Sequence, residues 1–112
     1  MIALPLSWVE RLGRWRLLKR PAFLWVDIEE APLDGELKPQ YLYREIRSGY
    51  PKWAHFTCPR CGEHIQVQIA KGSEWRLTVD WRRRPTLHPS IWERQGCGAH
   101  FFLRRGELQW CP

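Results

Sequence analysis

Two pairs of residues have the types and spacing that hold a metal ion. Cys58 and Cys61 are separated by two residues in Cys-Pro-Arg-Cys-Gly. Cys97 and His100 repeat that gap in Cys-Gly-Ala-His. A tight turn of this kind lets both side chains reach one tetrahedral ion, with zinc–sulfur distances of about 2.3 Å. Because three thiolates and one imidazole favour zinc over magnesium or calcium, the sequence predicts one structural Zn²⁺ held by two zinc knuckles.

Other cysteines and histidines leave alternatives to this ligand set. His64 follows the first knuckle and could replace His100, and Cys111 could be a substitute ligand or a free thiol. An enzyme hypothesis uses the same region, with Cys97 as a thiol nucleophile beside His88 or His100. A zinc hydrolase with an open coordination position is a further form of it. Two matched pairs fill four positions, so the structural site is the favoured interpretation.

The elements that must position these ligands are mostly strands. Apolar and β-forming residues recur in five segments, 23–28, 41–46, 53–57, 64–69 and 75–81. A hairpin is predicted at 100–110, with its turn at Arg105-Gly106. Two prolines within 82–90 predict a break in the sheet. We therefore expect a mainly β, small α+β fold, in which zinc staples an antiparallel sheet through two knuckles.

One short amphipathic helix is expected before the sheet. Ser7 and Glu10 have the spacing of a capping box, and apolar residues at helical spacing favour a helix over residues 8–19. This gives an N-terminal helix in residues 1–21 and a β-rich zinc-binding domain in residues 22–112, together one compact domain. Such a helix could dock on a partner.

The charge of the chain restricts its partners. The formal net charge is +6, and residues 51–112 hold ten basic against five acidic residues. A basic face attracts phosphates or acidic protein surfaces. No segment has the roughly 20 apolar residues of a membrane span, and no signal peptide is recognisable. Four cysteines without a secretion signal favour metal binding in the cytoplasm over disulfides.

Residues 37–110 also resemble a known family, the bacterial and phage proteins catalogued as domain of unknown function 6527. The resemblance is carried by the strand LYREI, the Cys-Pro knuckle with its alternating strand, LHPSIW at 87–92 and GCGAHFFLRRG at 96–106. It implies a metal-binding domain with the four ligands given above and supplies no activity. Some members are encoded beside ubiquitin-like conjugation genes, which implies a protein partner. The chain departs from the family at Arg60 and His64, where an additional Cys is often found.

Two classes of function remain open. The first is a binding adaptor, in which zinc fixes the fold and a basic, aromatic surface contacts protein or nucleic acid. That surface would comprise Arg82, Arg83, Arg84, Trp92, Arg94, Arg104 and Arg105. The second is a peptidase or hydrolase linked to a bacterial ubiquitin-like system, acting through the Cys97 thiol or an open zinc site. The coordination sphere separates them, because four protein ligands would exclude the zinc hydrolase.

Overall fold

The computed structural model describes residues 2–14, 21–33 and 35–111. This part of the chain contains one helix, α1 (Leu6–Arg14), and eight strands. The strands are β1 (Leu24–Ile28), β2 (Tyr41–Arg47), β3 (Tyr50–Thr57), β4 (His64–Gln68), β5 (Arg76–Val79), β6 (Pro85–Trp92), β7 (His100–Arg104) and β8 (Glu107–Trp110). The predicted mainly β fold with one short helix is confirmed.

The strands form two four-stranded sheets, each built from one contiguous half of the chain. The first has the order β1-β2-β3-β4, and the second has the order β5-β6-β7-β8. Every pairing is antiparallel except β1 with β2, which is parallel. A parallel pair needs a crossover of about a dozen residues, which the segment 29–40 supplies.

Apolar residues of both sheets share one core. Phe56 of β3 lies edge-on to Phe23 at 5.5 Å and to Phe101 of β7 at 6.4 Å, measured between ring centroids. All three rings are at most 2% exposed. Burial of each such side chain contributes about 2 kcal/mol to the stability of the fold. Because the rings face the space between the sheets, their burial stabilises the packing of one sheet on the other.

Strand β6 occupies the segment where a break was predicted, and that prediction was wrong. Pro85 is the first residue of the strand, a position where proline is tolerated in a sheet. The pairing with β7 shifts register between Leu87 and Ile91, around Pro89. An irregularity of this kind leaves the proline outside the regular ladder and re-aims neighbouring side chains.

Helix α1 begins two residues earlier than predicted. The Pro5 carbonyl accepts hydrogen bonds from the N–H groups of Trp8 and Val9, so Ser7 lies inside the helix and does not cap it. Glu10 accepts a hydrogen bond from the Tyr41 hydroxyl at 2.5 Å. Residues 15–19 of the predicted helix lie outside the described residues, and the division at residue 21 stays a prediction. The described residues include no helix with the length and apolar character to cross a membrane.

Candidate functional site

The turn between β3 and β4 carries Cys58 and Cys61, the residues of the first predicted knuckle. The Cys58 N–H donates to the Glu63 carbonyl at 2.7 Å, and the Gly62 N–H donates to the Cys58 carbonyl at 2.9 Å. Gly62 has a φ of 79°, a left-handed conformation that favours glycine. These bonds hold Cys58 buried beneath the turn and Cys61 exposed on it.

The second turn joins β6 to β7 and carries Cys97. The Glu93 carbonyl accepts hydrogen bonds from the N–H groups of Gly96, at 3.1 Å, and Gly98, at 2.8 Å. The Glu93 N–H donates to the Ala99 carbonyl at 2.8 Å. The turn thus fixes the backbone on both sides of Cys97 and carries this half-buried thiol to the first knuckle.

The two turns bring three sulfur atoms together from both sheets. The Sγ atoms of Cys58, Cys61 and Cys97 all lie within 4.8 Å of one another. Those of Cys58 and Cys97 are 3.6 Å apart, far beyond the roughly 2.05 Å of a disulfide. Two thiolates on one tetrahedral ion at about 2.3 Å would be about 3.8 Å apart. The spacing and the softness of the donors therefore fit a metal ion such as zinc.

The close approach of the thiols also shifts the pKa values of Cys61 and Cys97. A hydrogen bond from the Glu63 backbone favours the Cys61 thiolate, but desolvation and the neighbouring thiols outweigh it and raise the pKa of Cys61 to about 11. A hydrogen bond from the Ala99 backbone lowers the pKa of Cys97, and hydrogen bonds from the other two thiols act in the same direction. The pKa values of Cys61 and Cys97 are therefore shifted in opposite directions, as expected of neighbouring thiols that compete to ionise.

His100, the predicted fourth ligand, contacts Ser90 and Trp92. It is not a member of the three-sulfur group found among the described residues. Its Nε2 atom lies 3.0 Å from the Ser90 Oγ atom, and its ring stacks on Trp92 at 4.9 Å with an interplanar angle of 14°. Within residues 2–14, 21–33 and 35–111 no carboxylate pairs with His100. The contact is thus a serine–histidine pair with an aromatic neighbour.

This pair comes from two central strands of the second sheet. Trp92 of β6 is the register partner of His100 of β7, so their side chains share one face, while the buried Ile91 and Phe101 face the core. A serine hydroxyl within hydrogen-bond reach of an imidazole is the arrangement of an activated nucleophile. Ser90 was not among the residues selected from the sequence. Its signal was the segment LHPSIW at 87–92, which carried the family resemblance but gave the serine no role.

Part of the predicted arginine surface is occupied by internal contacts. The Arg83 guanidinium lies 4.4 Å from the ring of the buried Trp25, and its Nε donates to the Leu4 carbonyl at 2.9 Å. Arg84 pairs with Asp80 at 2.7 Å. Asp80 also accepts backbone N–H bonds from residues 82 and 84, at 3.0 and 2.9 Å. Arg83 and Arg84 therefore hold the turn before β6 in place.

Of the remaining residues of that predicted surface, Arg82 lies in the turn before β6, and four lie at or just beyond the ends of β6 and β7. Trp92 and Arg94 are exposed, with the guanidinium 4.7 Å from the indole ring. Arg104 and Arg105 are exposed at the end of β7, and Arg104 stacks over Phe102 at 4.7 Å. Their role as a binding surface stays a prediction.

His64 and Cys111, the alternative ligands, also lie outside the three-sulfur group. His64 Nε2 is 2.9 Å from His55 Nδ1, and His55 Nε2 is 2.9 Å from Glu45 Oε1. Glu45 and His55 are at most 2% exposed, and His64 lines a cavity of about 530 Å³ beside them. Cys111 donates its N–H to the His100 carbonyl at 2.9 Å, which ties the end of the described chain to β7.

The ionisation of the buried pair follows from its contacts. Burial alone would raise the pKa of Glu45, but hydrogen bonds from His55 and Arg47 outweigh it and lower that pKa. Desolvation lowers the pKa of His55, with a further contribution from His64, against the opposing effect of Glu45. The network therefore consists of an ionised carboxylate and a neutral imidazole.

Comparison with known proteins adds one finding. Residues 28–111 match the model of a family described as bacterial ubiquitination-like system serine protease (BubE). No curated protein and no solved structure matches the chain. The family predicted from sequence, domain of unknown function 6527, was therefore wrong, because the match is to the BubE family. The segments that suggested it, 87–92 and 96–106, lie inside the matched range and contain Ser90 and His100.

Proposed function

The chain belongs to the bacterial ubiquitination-like system serine protease (BubE) family, and on that premise we propose that it is a serine peptidase. Ser90 is the nucleophile and His100 is the general base. The observation that supports this assignment is the 3.0 Å distance between Ser90 Oγ and His100 Nε2. A general base must lie within hydrogen-bond reach of the proton that it abstracts, and this pair meets that condition.

The reaction proceeds through an acyl-enzyme. The Ser90 Oγ atom attacks the scissile carbonyl carbon while its proton moves to His100 Nε2. The carbon–nitrogen bond then breaks, and the same proton passes to the leaving amine. Water attacks the ester, giving one proton to Nε2, and the carbon–Oγ bond breaks as Oγ takes that proton back. Each step uses groups of this chain, the substrate and water.

The orientation of His100 depends on neighbours other than a carboxylate. For Nε2 to accept the serine proton, the neutral imidazole carries its hydrogen on Nδ1. The indole of Trp92 lies parallel to the imidazole at 4.9 Å and restricts its rotation. Trp92 is therefore a positioning residue, and the proposed machinery is a dyad supported by stacking.

Zinc bound by Cys58, Cys61 and Cys97 is the proposed structural element of this peptidase. Cys97 is three residues before His100, so the ion fixes the turn from which β7 starts. Because His100 Nε2 is used by Ser90, the metal site is proposed with three cysteine ligands, and its fourth tetrahedral position would be filled by water or another donor. The Cys97 thiol belongs to the cluster, which favours Ser90 over Cys97 as the nucleophile.

The substrate is proposed to be a protein of a bacterial ubiquitination-like system, in keeping with the family description. The adaptor function predicted from sequence, with protein or nucleic acid as partner, stays a prediction, as does a cytoplasmic location.

The test measures labelling by a fluorophosphonate probe together with zinc content. The probe forms an oxygen–phosphorus bond with an activated serine and releases fluoride. We expect labelling of the wild type, its loss in Ser90→Ala, and a decrease of about 10³-fold or more in the labelling rate of His100→Gln. Ser7→Ala, at an exposed serine in α1, is the matched control and should label normally.

Zinc content separates this proposal from the ligand set predicted from sequence. His100→Gln should keep its zinc, because the proposed ligands are the three cysteines. A wild type that resists the probe, or a His100→Gln variant that loses its zinc while Ser90→Ala keeps it, would contradict the dyad.

A further inference from the structure

A cleft lined by arginines lies on the second sheet, close to the turn between β7 and β8. It has a volume of about 550 Å³, and its lining residues are Arg84, Thr86, Arg104, Arg105, Glu107 and Gln109. Three of these described residues are cationic and one is a carboxylate. We call it the arginine cleft. Its charge suits a ligand with a negative side chain.

The walls of the cleft are fixed by backbone and side-chain contacts. The Arg105 N–H donates to the Thr86 hydroxyl oxygen at 2.9 Å, which joins the β7–β8 turn to β6. Arg84 forms an ion pair with Asp80, and the Arg104 guanidinium stacks over the Phe102 ring. The side chains of Arg84 and Arg104 are therefore already restricted before an occupant binds, and the backbone of the turn that carries Arg105 is fixed.

One strand connects the cleft to the proposed dyad. In β7 the buried residues Phe101 and Leu103 alternate with His100, Phe102 and Arg104, which therefore share the outward face. His100 and Arg104 are four residues apart, about 13 Å along a strand. An extended peptide advances by the same rise, so four of its residues would span from the dyad to the cleft.

We infer that the arginine cleft is a specificity site that binds an acidic side chain of the substrate, about four residues from the scissile bond. This inference rests on the proposed peptidase function and names its substrate class, an extended acidic segment of a protein. Phe102 offers an apolar contact between the two points. Arg104 and Arg105 supply the charge that recognises a carboxylate, in the way that guanidinium groups pair with carboxylates elsewhere.

The experiment uses the full chain and pairs of short peptides. Each pair differs only by Glu against Gln at one position, and the position is moved stepwise along either side of a central peptide bond. Two quantities are measured: kcat/KM for any peptide that is cleaved, and the ability of every peptide to slow fluorophosphonate labelling of Ser90. The second measurement works even for peptides that bind without being cleaved.

We expect the Glu peptide to exceed its Gln partner by about fivefold or more in one or both measurements, at positions three to five residues from the central bond. The preference should decrease between about 0.05 M and about 0.5 M salt because screening is stronger. It should disappear in the Arg104→Gln, Arg105→Gln double variant. Arg76→Gln, at an exposed arginine on β5 outside the cleft, is the matched control and should keep it.

The inference and the proposed function fail in different ways. Equal behaviour of Glu and Gln peptides, with Ser90-dependent labelling intact, would overturn the acidic specificity and leave the peptidase. A preference that survives in the double variant would likewise overturn the assignment to the cleft. A chain that neither labels at Ser90 nor cleaves any peptide would overturn the peptidase, and the specificity site with it.

Discussion

On the proposal that zinc binds the three-sulfur group, Cys97→Ser should abolish the stabilisation of the fold by that ion. Cys58 and Cys61 belong to one local turn, which an unfolded chain can also form around an ion. Cys97 belongs to the other sheet, so all three thiolates meet only when both sheets are folded together. An ion that binds the folded chain alone stabilises it by RT ln(1 + [L]/Kd), about 4 kcal/mol when free zinc exceeds Kd by about 1,000-fold.

This magnitude gives a clear thermal shift. For a domain of this size, about 4 kcal/mol corresponds to about 15 °C in Tm. We expect zinc to raise the Tm of the wild type by about that amount and a chelator to reverse it. Cys97→Ser should show almost no response, because its remaining two ligands bind zinc about equally well in the folded and unfolded chains.

Scanning calorimetry at several free-zinc concentrations is the assay, with elemental analysis of the same samples. Cys111→Ser is the matched control, since that thiol lies outside the three-sulfur group. The reasoning is refuted if zinc raises the Tm of Cys97→Ser as much as that of the wild type, or if both serine variants lose their zinc response equally.

Two further predictions concern backbone geometry and pH. Gly106→Ala should cost about 3 kcal/mol or more in urea unfolding, because φ is 76° and the new Cβ would lie 2.6 Å from the Pro21 Cβ. Gly72→Ala, with a φ of 88° and nothing within 4 Å, should cost about 1 kcal/mol, so an equal loss would contradict the predicted clash. The folded pKa values of His55 and Glu45 both lie below their ordinary values of 6.5 and 4.5, so the unfolded chain takes up protons first as the pH falls. The contribution of this pair to stability should therefore be complete above about pH 6.5 and decline on acidification, first from the imidazole and then from the carboxylate. His55→Gln should lose the part of the decline that begins near pH 6.5, and an unchanged profile in that variant would count against the assignment.

Local patterns in the sequence were enough to predict much of the fold. The alternation in β4 and the Arg105-Gly106 turn of the last hairpin were predicted, and both turn residues have the positive φ that a tight hairpin turn requires, 49° and 76°. The tight turn that carries Cys58 and Cys61 between two strands was also predicted, because these residues and Gly62 are neighbours in sequence. These features depend on residues a few positions apart, which a single sequence displays.

The remaining features depend on contacts that no local pattern displays. Proline in β6 is tolerated because its partners shift register around it, a property of the sheet. His100 was assigned to the metal from its spacing to Cys97, since a Cys-x-x-His gap is typical of zinc sites. In the structure its imidazole faces Ser90 on the neighbouring strand. Its hydrogen bond with Ser90 depends on how β6 pairs with β7, which the spacing to Cys97 does not display.

The division of the chain into two consecutive sheets has a consequence for how the protein could be assembled from pieces. The exposed turn at Lys71 and Gly72 separates the strands of one sheet from those of the other. A chain cut there yields two fragments, one with Cys58 and Cys61 and the other with Cys97, Ser90 and His100. Such fragments should associate by complementation, with zinc as the bridging ion. The free zinc concentration would then determine the fraction of the fragments that is associated.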